Sequence, residues 1–187
     1  LLEAEIHQHG FAGVAPCLQL LRRLCEQFWQ QIYPPMENDD VEFRTNLFHW
    51  VNRKLSIRLS QVPITDSQRE RELHWCDWEQ AVRNEQLKNS HKLKDQSLEG
   101  VLMPEFQMAL SHSAPEFLLQ QWLVLEDAEY EVAALEQTLD QICQEDSPSL
   151  SQINQLIQQI KGLYESELHK RHINPKTYFE EVAAQAP

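Results

Sequence analysis

The chain has 187 residues, a formal net charge of −13 at pH 7, 42% hydrophobic residues, five Trp, seven Phe and only four Gly. That apolar content excludes disorder by composition. The acidic balance argues against a nucleic-acid binder or an anionic-membrane binder, and no apolar run approaches the roughly 20 residues that span a bilayer.

Leu1–Gln8 reads as the end of a helix with Leu2 and Ile6 on one face, and Gly10 and Gly13 punctuate it, as glycine does where φ turns positive past a helix end. Pro16 suits the first turn of the next helix. There Leu18, Leu21, Cys25, Phe28, Trp29 and Ile32 recur at helical spacing, Leu20 and Leu24 widen the stripe, and Arg22, Arg23, Glu26, Gln30 and Gln31 fill the outer face. Pro34-Pro35 is the stop. The acidic loop Glu37–Asp40 caps a third helix, Val41 to Leu59, with Phe43, Leu47, Trp50, Val51, Leu55 and Ile57 as its apolar set.

Gln61–Arg71 is a polar connector containing Pro63. Leu73–Val82 reads as a short helix begun near Asp77, Asn84–Leu98 as a charged, aperiodic, weakly ordered stretch closed by Gly100, and Pro104–Leu110 as another short helix. Ser113-Ala114-Pro115-Glu116 has the form of a capping box. It opens the longest helix, Ala114 to Cys143, whose stripe is Leu118, Trp122, Leu125, Val132, Leu135, Leu139 and Ile142. Glu126, Asp127, Glu129, Glu131, Glu136 and Asp140 form its acidic outer face. Asp146-Ser147-Pro148 starts a further helix with Leu150, Ile153, Ile157, Ile160, Tyr164 and Leu168, and the short link Gln144–Ser147 forces the two antiparallel. Asn174-Pro175 caps a last helix, Lys176–Gln185, with Tyr178, Phe179 and Val182 to dock it.

No strand pattern survives. The fold class is therefore all-α, a bundle of about seven to eight helices ending in a long antiparallel hairpin. One helical domain covers 1–187: first helices in 1–60, a partly irregular connector in 61–100, and the hairpin with its terminal helix in 101–187. Leu1 opens inside an apparent helix with no initiating Met, so the chain reads as a piece of a longer protein.

Few residues suggest chemistry. Cys17, Cys25, Cys76 and Cys143 form no C-x-x-C pair and fit a reduced, cytoplasmic protein. Glu165, His169 and His172 would share one face of an unbroken helix, a possible zinc triad. Lys170 and Arg171 beside them favour an exposed helix end instead. His7 and His9 diverge on a helix, as do His74 and Cys76, whose flanking Trp75 and Trp78 read as core anchors. Nucleophile elbows, phosphate-cradling glycine loops and zincin motifs are absent. No catalytic, cofactor or metal site is assigned. Arg44 and Asn46, set into an apolar run, read as residues that lock the Pro34–Asp40 loop to the bundle, Arg44 through helix-end carbonyls or a buried acid.

Three segments carry a resemblance. Gly10 and Gly13 lead into Leu20-Leu21, Trp29 and the helix-ending Pro34; Arg44-Thr45-Asn46 opens the third helix; and Asp77-Trp78-Glu79-Gln80-Ala81 opens the fourth. In this order they resemble the ImpA-type N-terminal domain of the TssA family, assembly proteins of the bacterial type VI secretion system. Leu47 and Phe48 stand where that family carries Ala-Leu, so local packing differs. The resemblance implies a cytoplasmic, non-enzymatic assembly role without cofactors. Implied partners are baseplate, contractile-sheath or membrane-complex proteins, with self-association through a C-terminal region absent here. Two other readings are an acidic helical adaptor for a basic partner, and a metal-dependent hydrolase built on Glu165, His169 and His172.

Overall fold

The computed structural model describes residues 1–33, 41–66, 71–90 and 99–179. The expected Pro34-Pro35 stop, the Glu37–Asp40 loop, residues 67–70 and 91–98 of the expected irregular stretches, and Val182 lie outside the described residues.

Seven α-helices follow in order among the described residues: α1 (Leu2–His9), α2 (Val14–Phe28), α3 (Glu42–Leu59), α4 (Trp75–Asn89), α5 (Met103–His112), α6 (Pro115–Cys143) and α7 (Ser151–Lys170). Gly10–Gly13 and Gln144–Asp146 form 3-10 turns, and residues 175–179 are helical again. No strand forms among the described residues; Pro63 and His74 make an isolated antiparallel bridge. The all-α class expected from periodicity is what the chain adopts.

Helix α6 packs against both α2 and α7, α7 also carries α3, and α4 pairs with α5. The α6 and α7 stripes bury as their three-four spacing requires: Leu118, Leu125, Val132, Leu135 and Leu139 face Leu150, Ile153, Ile157, Ile160 and Tyr164, all solvent-excluded. Glu136 accepts the Leu150 N–H at 2.8 Å, Glu129 accepts from Gln158 at 2.8 Å, and Glu126 accepts from Lys161 at 2.6 Å. Partners climb α7 as they descend α6, so the hairpin is antiparallel. Phe179 stacks on Trp122 at 6.2 Å between centroids, tying the chain beyond α7 back onto α6.

Several boundaries differ from the local sequence signals. Helix α4 runs to Asn89, through residues expected to be weakly ordered. Buried Asn84 holds it there, donating to the carbonyls of Glu99 (3.0 Å) and Val101 (3.1 Å). The Ser113 capping box does not form. Ala114 is the cap residue of α6, and Ser113 is buried, its hydroxyl accepting the Asp66 N–H at 2.9 Å and donating to the Ala109 carbonyl at 3.1 Å. Asp66 in turn accepts the Ala114 N–H at 3.4 Å, so a loop distant in sequence ties down the start of α6. Helix α7 starts at Ser151 rather than Asp146, because Gln144 turns to φ +52° and the chain runs extended before the helix opens. Asn52 of α3 reaches across to accept the Ile153 N–H at 3.0 Å.

Candidate interaction surface

Helices α1 and α2 are joined by one tight turn with a glycine at each end, and α2 is tied to α3 by one arginine. Gly10 has φ +57°, a conformation that costs an L side chain strain, and a Cβ on Gly13 would meet the Glu5 carbonyl oxygen at 2.7 Å. Arg44, on the first turn of α3, is 3% exposed. Its guanidinium donates to the carbonyl of Trp29 and, at 2.6 Å, to that of Ile32, and lies 5.2 Å from the centroid of the Trp29 ring. The last turn of a helix leaves carbonyls without partners, and a planar cation with several N–H groups can satisfy two at once. Trp29 is buried and packs on Phe48 at 6.5 Å. Arg44 thus fixes where α3 leaves α2. Asn46, paired with it in the sequence reading, points to solvent; Thr45 and Asn52 are the buried polar partners on α3.

The clamp sets the rotation of α3, and with it which apolar residues go inside. Phe48, Val51, Leu55 and Leu59 are buried. Phe43 (67% exposed), Leu47, Trp50 and Ile57 are not, although all four belong to the apolar set read from the sequence. The same holds on α2, where Val14, Cys17, Leu18 and Cys25 are buried but Leu20, Leu24 and Phe28 are exposed. A shallow groove of about 250 Å³ runs between these outer faces, lined by Leu20, Leu21, Leu24 and Cys17 of α2, Trp50 of α3, and Leu1, Leu2 and Glu3 at the start of the chain. Such a cluster of large apolar side chains left in water is the usual mark of a contact surface. Arg23, Arg53 and Lys54 stand exposed on the same two helices and pair with nothing among the described residues.

The acidic face of α6 is built differently. It carries seven carboxylates and no Lys or Arg, yet most are engaged inside the molecule. Glu131, 6% exposed, takes Arg22 of α2 at 3.0 Å, so Arg22 is a core-side partner and not part of an outer face. The pair holds the Arg22 guanidinium above its ordinary value. Lys161 bonds both Glu126 and Glu129. Burial acts to raise the Glu129 carboxyl, but hydrogen bonds from Lys161 and Gln158 outweigh it and hold it below the ordinary carboxylate value.

The remaining sequence candidates scatter. Asp77 accepts the His74 N–H at 2.8 Å and closes the capping box of α4, while Glu79 is exposed. Cys76 is exposed with its thiol pushed up, first by partial burial and then by Asp77. Desolvation pushes the Cys25 thiol to about 11. His9 lies 3.6 Å from Glu5, and His7 lines a separate polar cleft with Glu72 and His74. The Glu165, His169 and His172 alignment fails because α7 ends at Lys170 and His172 sits at φ +59° outside the helix. Among the described residues no cluster of three or more metal-ligating side chains forms. Arg171, beside this triad, instead donates to the carbonyls of Leu110, Ser111 and Ser113 at 2.8–3.0 Å, held in place by buried Glu167. It is a second helix-end clamp, which sequence alone did not mark.

The outer α2–α3 surface falls almost wholly inside a region with known relatives. Residues 1–53 match the family model described as ImpA, N-terminal, type VI secretion system. An ImpA N-terminal region thus matches the start of the chain, α1, α2 and most of α3. The whole fold agrees: it superposes on the N-terminal domain, including the conserved ImpA_N region, of the TssA component of the type VI secretion system from Burkholderia cenocepacia. The TM-score is 0.81 at 23% identity, over 93% of this chain and 70% of that one. Comparison with curated proteins gives no match. No described helix of the chain is long and apolar enough to cross a membrane.

Proposed function

We propose that this TssA-like chain is a non-enzymatic assembly domain of a type VI secretion system, one ImpA-type helical unit over 1–187 that works in the cytoplasm through protein contacts. The observation that carries this reading is a coincidence of position: the apolar groove between α2 and α3 lies within the ImpA N-terminal region. Baseplate, sheath or membrane-complex proteins are the partners such a component would touch. The signature residues Gly10, Gly13, Trp29, Arg44 and Asp77 serve this role by shaping the surface and not by touching the partner; Pro34, Asn46 and Glu79 complete the motif.

Pull-down of the purified chain against isolated sheath, baseplate and membrane-complex components, at low and moderate salt, tests the reading. Capture of at least one component is the expected result. Failure to capture any, with the chain folded by circular dichroism, overturns it.

A further inference from the structure

We propose that the groove between α2 and α3 receives an acidic amphipathic helix of a partner protein, a proposal that deepens the assembly reading and rests on it. Three observations point to this occupant. The first is spacing. The exposed residues Phe43, Leu47, Trp50, Lys54 and Ile57 of α3 follow one another at intervals of four, three, four and three. That is the interval at which one helix presents a continuous seam to another, knobs entering holes. The second is shape. Leu20 and Leu24 of α2 stand across the groove from Trp50, forming a trough with two apolar walls, and no sheet edge among the described residues offers a strand-pairing alternative.

The third observation is charge. The chain is strongly acidic as a whole and Glu3 lines this groove, but Glu3 is paired with Arg58 at 3.3 Å, and the unpaired charges on the two helices beside the groove are basic. Arg23 lies on the α2 side and Arg53 beside the α3 seam, while Lys54 falls within the seam itself. Each is exposed and pairs with nothing among the described residues, whereas Arg22, Arg44, Arg58, Lys161 and Arg171 are all engaged internally. Unpaired cations flanking an apolar seam select a helix with apolar residues at three-four spacing and Asp or Glu beside them, and repel its basic counterpart. A second copy of this chain fits less well, because two α3 seams laid together would oppose Lys54 to apolar side chains.

Fluorescence anisotropy of labelled synthetic peptides against the whole chain tests this. One 21-residue probe peptide carries Leu at seam positions and Glu at the flanks; a second replaces every Glu with Lys; a third scrambles the first. The acidic peptide should bind at least about tenfold more tightly than the other two, and moderate salt should weaken it. Leu24→Asp should abolish binding, and the double variant Arg53→Glu, Lys54→Glu should exchange the preference in favour of the Lys peptide. All three positions are exposed, so circular dichroism and Tm should match the wild type. Equal binding of the Glu and Lys peptides, or acidic-peptide binding unaffected by Leu24→Asp, overturns the proposal. A dimer by analytical ultracentrifugation that Trp50→Ala dissolves would also overturn it, assigning the groove to a second copy. If secretion components are captured by the wild type and lost on Leu24→Asp, yet capture ignores the Arg53 and Lys54 reversal, the assembly reading stands and the acidic-helix proposal falls.

Discussion

Helices α2 and α3 and the α6–α7 hairpin are both amphipathic, yet they spend their side chains in opposite ways. The hairpin turns its apolar stripe fully inward and then neutralises much of its acidic face within the molecule, Glu131 on Arg22 and Glu126 with Glu129 on Lys161. The α2–α3 pair buries one stripe and leaves a second one, Leu20, Leu24, Phe43, Leu47 and Trp50, in water beside unpaired cations. A face whose charges are already paired has little left to offer a partner. An apolar face with free charges at its edge has much to gain from one. The difference separates a scaffold from the surface that the scaffold holds out.

The comparison breaks first at its hinge. Trp29 is 8% exposed and supports both Arg44 and Phe48. Trp29→Ala should lower unfolding free energy by roughly 3–5 kcal/mol in urea titration. Arg44→Met should follow at about 1–3 kcal/mol, because the Trp29 and Ile32 carbonyls lose their donor where little water reaches. It should also reduce capture of partners even where the domain stays folded, since the rotation of α3 is no longer fixed.

Lys161→Met probes the paired face and should cost about 1 kcal/mol near neutral pH. The sign of its pH dependence follows from Glu129, whose folded carboxyl is held below its ordinary value. Its contribution is present above the unfolded carboxylate range and is lost as pH falls through the folded value. Wild type and variant should therefore differ near pH 7 and converge in acid. Lys161 itself is held above its ordinary value, against burial, by Glu126 and Glu129, so convergence is also expected as pH rises past the lysine range. The smallest effect belongs to the open face. Phe43→Ser and Leu47→Ser should change stability by about 0.5 kcal/mol or less; a much larger loss would make that face part of the core.

The hairpin was legible in the sequence because a single stripe at regular spacing leaves one way to bury it, and Leu150 through Leu168 go where that spacing sends them. Helix α3 was not, because apolar residues cover two of its faces and periodicity alone does not say which turns inward. Phe48 and Leu59 went inside while Phe43, Leu47, Trp50 and Ile57 stayed out, a choice made by the Arg44 clamp. Arg44 itself could be read from its place in an apolar run. Arg171, Asn52 and Asp66 could not, since each serves a helix end far away in the chain. The zinc triad failed for a related reason: the helix that would have aligned it stops at Lys170. Leu20, Leu24, Phe43, Leu47 and Trp50 stood in the sequence as members of apolar stripes, with nothing there to say which face stays in water.

The most direct measurement sets the two faces against each other: capture of sheath, baseplate and membrane-complex components by Leu24→Asp on α2 and by the Glu116→Lys, Asp127→Lys double variant on α6, with Tm recorded for each. Glu116 and Asp127 are exposed carboxylates that pair with nothing among the described residues. Loss of capture with Leu24→Asp alone, at unchanged Tm, is the result expected if α2 and α3 present the contact surface. Retained capture by Leu24→Asp together with loss on reversing the α6 charges would contradict it and place recognition on the acidic hairpin.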